Sequence, residues 1–120
     1  KPFLSKENVS EVVIPAFEGE IGILKDHISI ISFLKPGIIK IFAGSEEDNF
    51  YVEDGIVEFK DNSLSILTSS IFNIKNVDKN QINNSIAEAE KELSNNNEMD
   101  DQKRFLLNHK VEVLKSLTLN

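Results

Sequence analysis

The hydrophobic period of this chain changes once along its length, and that change dictates what it can fold into. From Val9 to Ile74 the apolar residues come in short runs rich in Ile, Val and Phe, broken by EGEIG, KPG, AGSEEDN, EDG and KDNS. Short runs with turn signals at this spacing predict an antiparallel sandwich or barrel. After NIKNVDKN the texture is different: Ile82, Ile86, Ala89 and Leu93 recur at steps of four, three and four, which is one helical face. SNNNEMDD interrupts that face with residues that compete for backbone hydrogen bonds. A second helix follows, with Met99, Leu106, Val113 and Leu117 within about 40° of one another on a helical wheel. The expected fold class is α+β: an N-terminal antiparallel β-sandwich over residues 1–76, then a C-terminal αα-hairpin over 77–120.

Two hairpins are predicted in the first part. FYVEDGIVEF carries Asp54-Gly55, and IVEFKDNSLSIL carries Asp61-Asn62, each pair able to supply positive φ between strands. SEEDN at 45–49 reads as an exposed hairpin tip, and Asp78 as the N-cap of the first helix.

A formal net charge of −7, from 20 acidic and 13 basic residues, disfavours nucleic acid and anionic membrane surfaces, both of which are met by Lys and Arg. No cysteine is present, which excludes disulfides and thiol chemistry. No segment approaches the roughly 20 apolar residues of a membrane-spanning helix. The start, KPFLSKENVS, lacks the apolar core of a signal peptide.

GEIG in GEIGILKDH has neither dinucleotide-binding nor Walker spacing. His27 and His109 lie 82 residues apart, outside any zinc spacing. Glu18 and Glu20 alternate, as surface carboxylates commonly do, and their acid–base use with His27 is a remote alternative. No catalytic constellation and no cofactor site emerges. The charge is unevenly spread, however. Residues 1–77 hold 12 acidic and 7 basic side chains, while from Gln102 on Lys103, Arg104, Lys110 and Lys115 face Glu112 alone. That basic rod is either a solvated face or a docking surface for an acidic partner.

The stretch VSEVVIPAFEGEIGILKDHISIISFLKPGIIKI strongly resembles the epsilon subunit of the proton-translocating ATP synthase, the delta subunit in mitochondrial naming. It matches at Pro15, Glu18-Gly19-Glu20, Gly22-Ile23-Leu24, His27, Leu34 and Lys35-Pro36-Gly37. FYVEDGIVEFKDNSLSIL resembles the family's later hairpins. Lys25-Asp26 and Ile28-Ser29 stand where the family has Pro-Gly before the His and Ala-Pro after it, which predicts a loop less rigid at φ. By this resemblance the family's first strand would precede Lys1, so either the chain is trimmed before Lys1 or the protein lacks that strand.

The resemblance implies a ten-stranded sandwich on the central stalk, coupling proton flow to ATP synthesis while bound to the gamma subunit and the proteolipid ring. Glu18, Glu20 and His27 would form the ring contact. The hairpin would be mobile and able to inhibit ATP hydrolysis by reaching the catalytic head, with Lys103, Arg104, Lys110 and Lys115 as its regulatory face. The implied location is peripheral, on the cytoplasmic side of a bacterial inner membrane. Some members bind ATP through a motif of the form Ile/Leu-Asp-x-x-Arg-Ala. Here VDKNQI keeps Asp78 but has Gln81 for the Arg, and losing that bidentate phosphate partner argues against ATP binding. The residues alone also fit a free-standing β-sandwich binding module with a helical lid.

Overall fold

The computed structural model of the chain describes residues 3–95 and 98–118. It divides into two compact units, Lys1–Lys75 and Asn76–Asn120. Among its described residues the first holds nine strands: β1 Phe3–Lys6, β2 Glu11–Ala16, β3 Gly19–Leu24, β4 Ile30–Leu34, β5 Gly37–Ala43, β6 Glu46–Val52, β7 Gly55–Lys60, β8 Ser63–Thr68 and β9 Ile71–Asn73. A single 3-10 turn, Ile74–Asn76, follows.

The strands pair in the order β1-β8-β7-β4-β2-β5-β6-β9, with β3 on the remaining side of β2, and every pairing is antiparallel. β4 joins β2 only where Leu34 meets Ala16, so the sheet turns a corner there. One layer is β1-β8-β7-β4 and the other is β3-β2-β5-β6-β9. The Lys6 ammonium lies 3.1 Å from the Asp48 carboxylate, tying the first strand of this order to the last but one. The sheet is therefore curled on itself as a sandwich. Alternation drives this closure. Val12, Ile14 and Ala16, Ile39 and Ile41, Val57 and Phe59, and Leu64 and Ile66 are buried at every second position, which puts them on the inner face of their strands.

The turns follow local chemistry, with two departures from expectation. Lys60 pairs with Ser63, so Asp61-Asn62 is a two-residue turn, and both residues take positive φ (52° and 62°) as a type I′ turn requires. Asp54-Gly55 does not form a hairpin. β6 pairs with β5 and β9, and β7 with β4 and β8, so EDG is a crossover between layers. Gly55 is needed there for a different reason: a Cβ on it would strike the Leu67 carbonyl and come 2.7 Å from Thr68 Cα. The buried Thr68 hydroxyl closes the same crossover, lying 3.1 Å from the carbonyl oxygens of Glu53, Asp54 and Ser70. SEEDN is also mostly not a tip. Gly44-Ser45 makes the turn, with Gly44 at φ 63°, and Glu46–Val52 is strand.

The second unit is the expected pair of helices, α1 Lys79–Asn95 and α2 Asp101–Leu117. Asn96 and Asn97, in the predicted break, lie outside the described residues. Asp78 caps α1 by accepting from the Asn80 N–H at 2.9 Å, and Asp100 caps α2 by accepting from the Lys103 N–H at 2.7 Å. On α1 the expected residues Ile82, Ile86 and Ala89 are buried. On α2 the buried pair is Val111 and Leu114, about a quarter turn from Leu106, Val113 and Leu117 of the expected stripe, which are only half-buried; its fourth member, Met99, is buried but precedes the helix. Apolar residues spread over a wide arc of this helix, so periodicity does not say which stripe faces α1.

Candidate functional site

Strand register distributes the candidate surface residues between two ends of the sandwich. Phe17-Glu18 is the two-residue turn between β2 and β3, closed by the Ala16–Gly19 pair, so Glu18 lies in a turn rather than on a strand face. Gly19 takes φ 128° there. Glu20 is the second residue of β3, and Glu18 and Glu20 are both exposed. His27 is three residues past the far end of β3, and about 13 Å of strand separates Glu20 from Leu24 alone. The fold therefore brings Glu18 and Glu20 together and keeps His27 apart from them.

At the His27 end three loops are knotted together. Asp26 N–H donates to Asn62 Oδ1 at 2.7 Å, and Asn62 Nδ2 donates back to Asp26 Oδ1 at 3.0 Å. The Val9 N–H donates to the Asn62 carbonyl at 2.9 Å. Asn8, Asp26, Asp61 and Asn62, all at positive φ, belong to these loops. The loop expected to be less rigid is thus held by side-chain bonds in place of proline. His27 is exposed, and its Nδ1 lies 2.6 Å from the Ile28 carbonyl, which places the ring proton on Nδ1. An open depression of about 580 Å³ lies here, lined by Asp26, His27, Ile28, Ser29, Asp61 and Asn62.

The pattern reading missed a third feature. Phe3, Leu67, Ile56 and Phe33 are mutually paired across β1, β8, β7 and β4, and all four are exposed. Ile31 is exposed on the same face, two residues from Phe33. A solvated sheet face carries polar residues at these positions. The signal was present in β7, GIVEFK, where Ile56 stands in the outward phase with Glu58 and Lys60. An apolar cluster of this kind is a candidate interaction surface.

In the hairpin, Lys103 lies 3.1 Å from Glu92 and Lys115 3.3 Å from Glu90, both pairs about half exposed. Lys103 is exposed, whereas Arg104 and Lys110 are half-buried. Phe105 is exposed on α2 and stacks on His109 with ring centres 6.1 Å apart. The Asp78 carboxylate is engaged as a cap, and Gln81 is exposed. Among the described residues one titrating group is strongly perturbed. Burial, and then the Glu53 carboxylate to which Tyr51 donates at 3.0 Å, push the Tyr51 phenol far above its usual 10.0. Tyr51 is fully buried and stacked on Phe72, which makes it a structural residue.

Among the described residues no group of three His, Asp or Glu could hold a metal ion, and no helix is long and apolar enough to cross a membrane. What the geometry offers is contact: an acidic turn, a knotted loop end and an apolar sheet face.

Comparison with known proteins bears on the family and the fold. Residues 1–74 match the ATP synthase delta/epsilon chain β-sandwich domain. The ATP synthase epsilon chain of Pelagibacter ubique is 68% identical over 117 residues, covering 98% of this chain and 89% of that protein. The fold is shared with a chain of the OSCP/F1/c-ring assembly of the Euglena gracilis mitochondrial ATP synthase, with TM-score 0.63 and 22% identity over 91% of this chain and 68% of that one. It is also shared with a chain of the central stalk/c-ring of the Tetrahymena thermophila enzyme, with TM-score 0.60 and 18% identity over 92% of this chain and 83% of that one. The sequence match through the whole sandwich, together with the epsilon-chain likeness that extends over both helices, places the chain in the ATP synthase delta/epsilon family.

Proposed function

We propose that this chain is a non-catalytic rotor subunit of the ATP synthase, coupling proton flow through the membrane ring to ATP synthesis from a peripheral position on the cytoplasmic side. The observation that carries this reading is the exposed apolar row Phe3–Leu67–Ile56–Phe33. Apolar surface gathered on one face is stabilised by removal from water, at roughly 25 cal/mol per Å². The gamma subunit is the partner proposed for it.

The Glu18–Glu20 turn then supplies the contact with the loops of the proteolipid ring. Its exposed carboxylates are free to meet cationic groups, and the two-residue turn projects them from the end of the sandwich. His27 stands at the other end of β3, so it serves a different contact from the one that Glu18 and Glu20 make. The hairpin is the regulatory part: Lys103, Arg104, Lys110 and Lys115 form a basic face suited to an acidic surface of the catalytic head. With Asp78 used as a helix cap and Gln81 in place of an Arg, no nucleotide is assigned to it.

Membrane fractionation tests the reading. The chain should sediment with membranes and be released together with the catalytic sector when that sector is stripped. Recovery in the soluble fraction alone, independent of the catalytic subunits, would identify a free-standing binding module instead.

A further inference from the structure

The apolar row has a shape. Its outer members, Phe3 and Phe33, are 63% and 65% exposed, while the inner Leu67 and Ile56 are 43% and 42% exposed. Two long aromatic side chains thus stand as walls on β1 and β4, with two shorter aliphatic ones as the floor on β8 and β7. Three strand spacings separate the walls, about 14 Å. An α-helix with its side chains is about 10–12 Å across.

The next outward row, two residues along each strand, holds Ser5, Ser65, Glu58 and Ile31. The floor there turns polar, with one exposed carboxylate at Glu58, while the β4 wall continues apolar through Ile31. Two strand residues advance about 6.8 Å, and one helical turn about 5.4 Å. A residue on the floor of the first row and another one turn later therefore fall opposite successive rows.

The floor strands also limit the kind of partner. β8 is paired on both sides, by β1 and β7, and β7 by β8 and β4, so their backbone groups are already used. This face offers side chains only, and an added strand would find no ladder to join. Covering Glu58 without a counter-charge would leave a desolvated carboxylate beside two serines, which is strongly unfavourable.

We propose that this trough receives one amphipathic helix of the partner, laid along the strands. Its apolar residue seats on Leu67 and Ile56 between the two phenylalanines, and a Lys or Arg one turn further on meets Glu58. The proposal rests on the stalk reading, since it specifies the contact that the sheet face makes there.

The test is the affinity of the whole chain for the gamma subunit of the same organism, measured for the wild type, Ile56→Asp, Glu58→Lys and Glu58→Gln, with circular dichroism confirming that each variant is folded. Ile56→Asp should weaken binding at least about a hundredfold, and Glu58→Lys at least about tenfold. Glu58→Gln should weaken it less and flatten its dependence on salt. A photo-crosslinker at position 56 should label gamma residues spaced three or four apart. Wild-type affinity with no effect of Glu58→Lys, or labels at alternate residues, would overturn the helix-and-cation contact while leaving the stalk reading intact. No binding of the wild type to gamma would overturn the stalk reading itself.

Discussion

Asp26 and Asn62 hold each other in the left-handed region, 36 residues apart, through two reciprocal hydrogen bonds of 2.7 and 3.0 Å. Left-handed backbone costs a non-glycine residue roughly 1–2 kcal/mol, and Asn and Asp adopt it because their short polar side chains bond locally. Here that bonding joins the β3–β4 loop to the β7–β8 turn.

Comparing Asn62→Gly with Asn62→Ala separates the two contributions. Glycine keeps the backbone conformation and loses the side-chain bonds, so it should destabilise by about 1–2 kcal/mol. Alanine should lose a further 1 kcal/mol or so through φ strain. Urea unfolding checks both, and equal losses would show that the turn relaxes to negative φ.

Gly55→Ala should be about as damaging as Asn62→Ala, by overpacking rather than by φ strain. Its Cβ would meet backbone atoms of Leu67 and Thr68 that cannot rotate away, whereas nothing lies within 4 Å of a Cβ at Gly44. Overpacking of this kind costs about 1–3 kcal/mol. The expected signature in urea unfolding is a lowered midpoint with an unchanged slope, and a wild-type midpoint would mean that the β7–β8 approach is looser than the geometry states.

Tyr51 is the only tyrosine in the chain, so its titration can be followed by absorbance alone. Its folded pKa is raised, chiefly by burial. The phenolate signal should stay absent through the usual range near 10.0 and appear only as the protein unfolds. The stabilisation is complete below about pH 10, where both states keep the proton. It is lost as pH climbs above 10, by up to about 1.4 kcal/mol per unit, because the unfolded state ionises first. Tyr51→Phe should abolish that alkaline decline.

The hairpin rests on packing more than on charge. Leu114→Ala removes a fully buried side chain and should cost its unit about 2–5 kcal/mol. The half-exposed pairs Lys103–Glu92 and Lys115–Glu90 are each worth about 0–1 kcal/mol. Replacing Lys103, Arg104, Lys110 and Lys115 with Ala should therefore leave assembly of the complex unchanged while raising its ATP hydrolysis severalfold. Unaltered hydrolysis would identify the basic rod as a solvated face.

Much of this fold was legible locally. A period of two with β-branched residues and turn signals specifies strands, and steps of three and four specify helices, because each is set by backbone geometry within a few residues. Asp61-Asn62 and Asp78 were readable for the same reason, since a type I′ turn and an N-cap are satisfied by neighbours in sequence. Asp54-Gly55 was not. Its side chains permit a hairpin, but β6 pairs with β5 and β9 instead, a choice made among distant strands. The buried stripe of α2 was undetermined likewise, because several apolar stripes compete and only α1 selects one. The trough depended wholly on register: Phe3, Leu67, Ile56 and Phe33 come from four strands spread over the first unit, and only pairing sets them in one row. Local sequence chose the elements because local forces suffice to form them. The surfaces that meet partners arose from long-range pairing, which no short stretch encodes by itself.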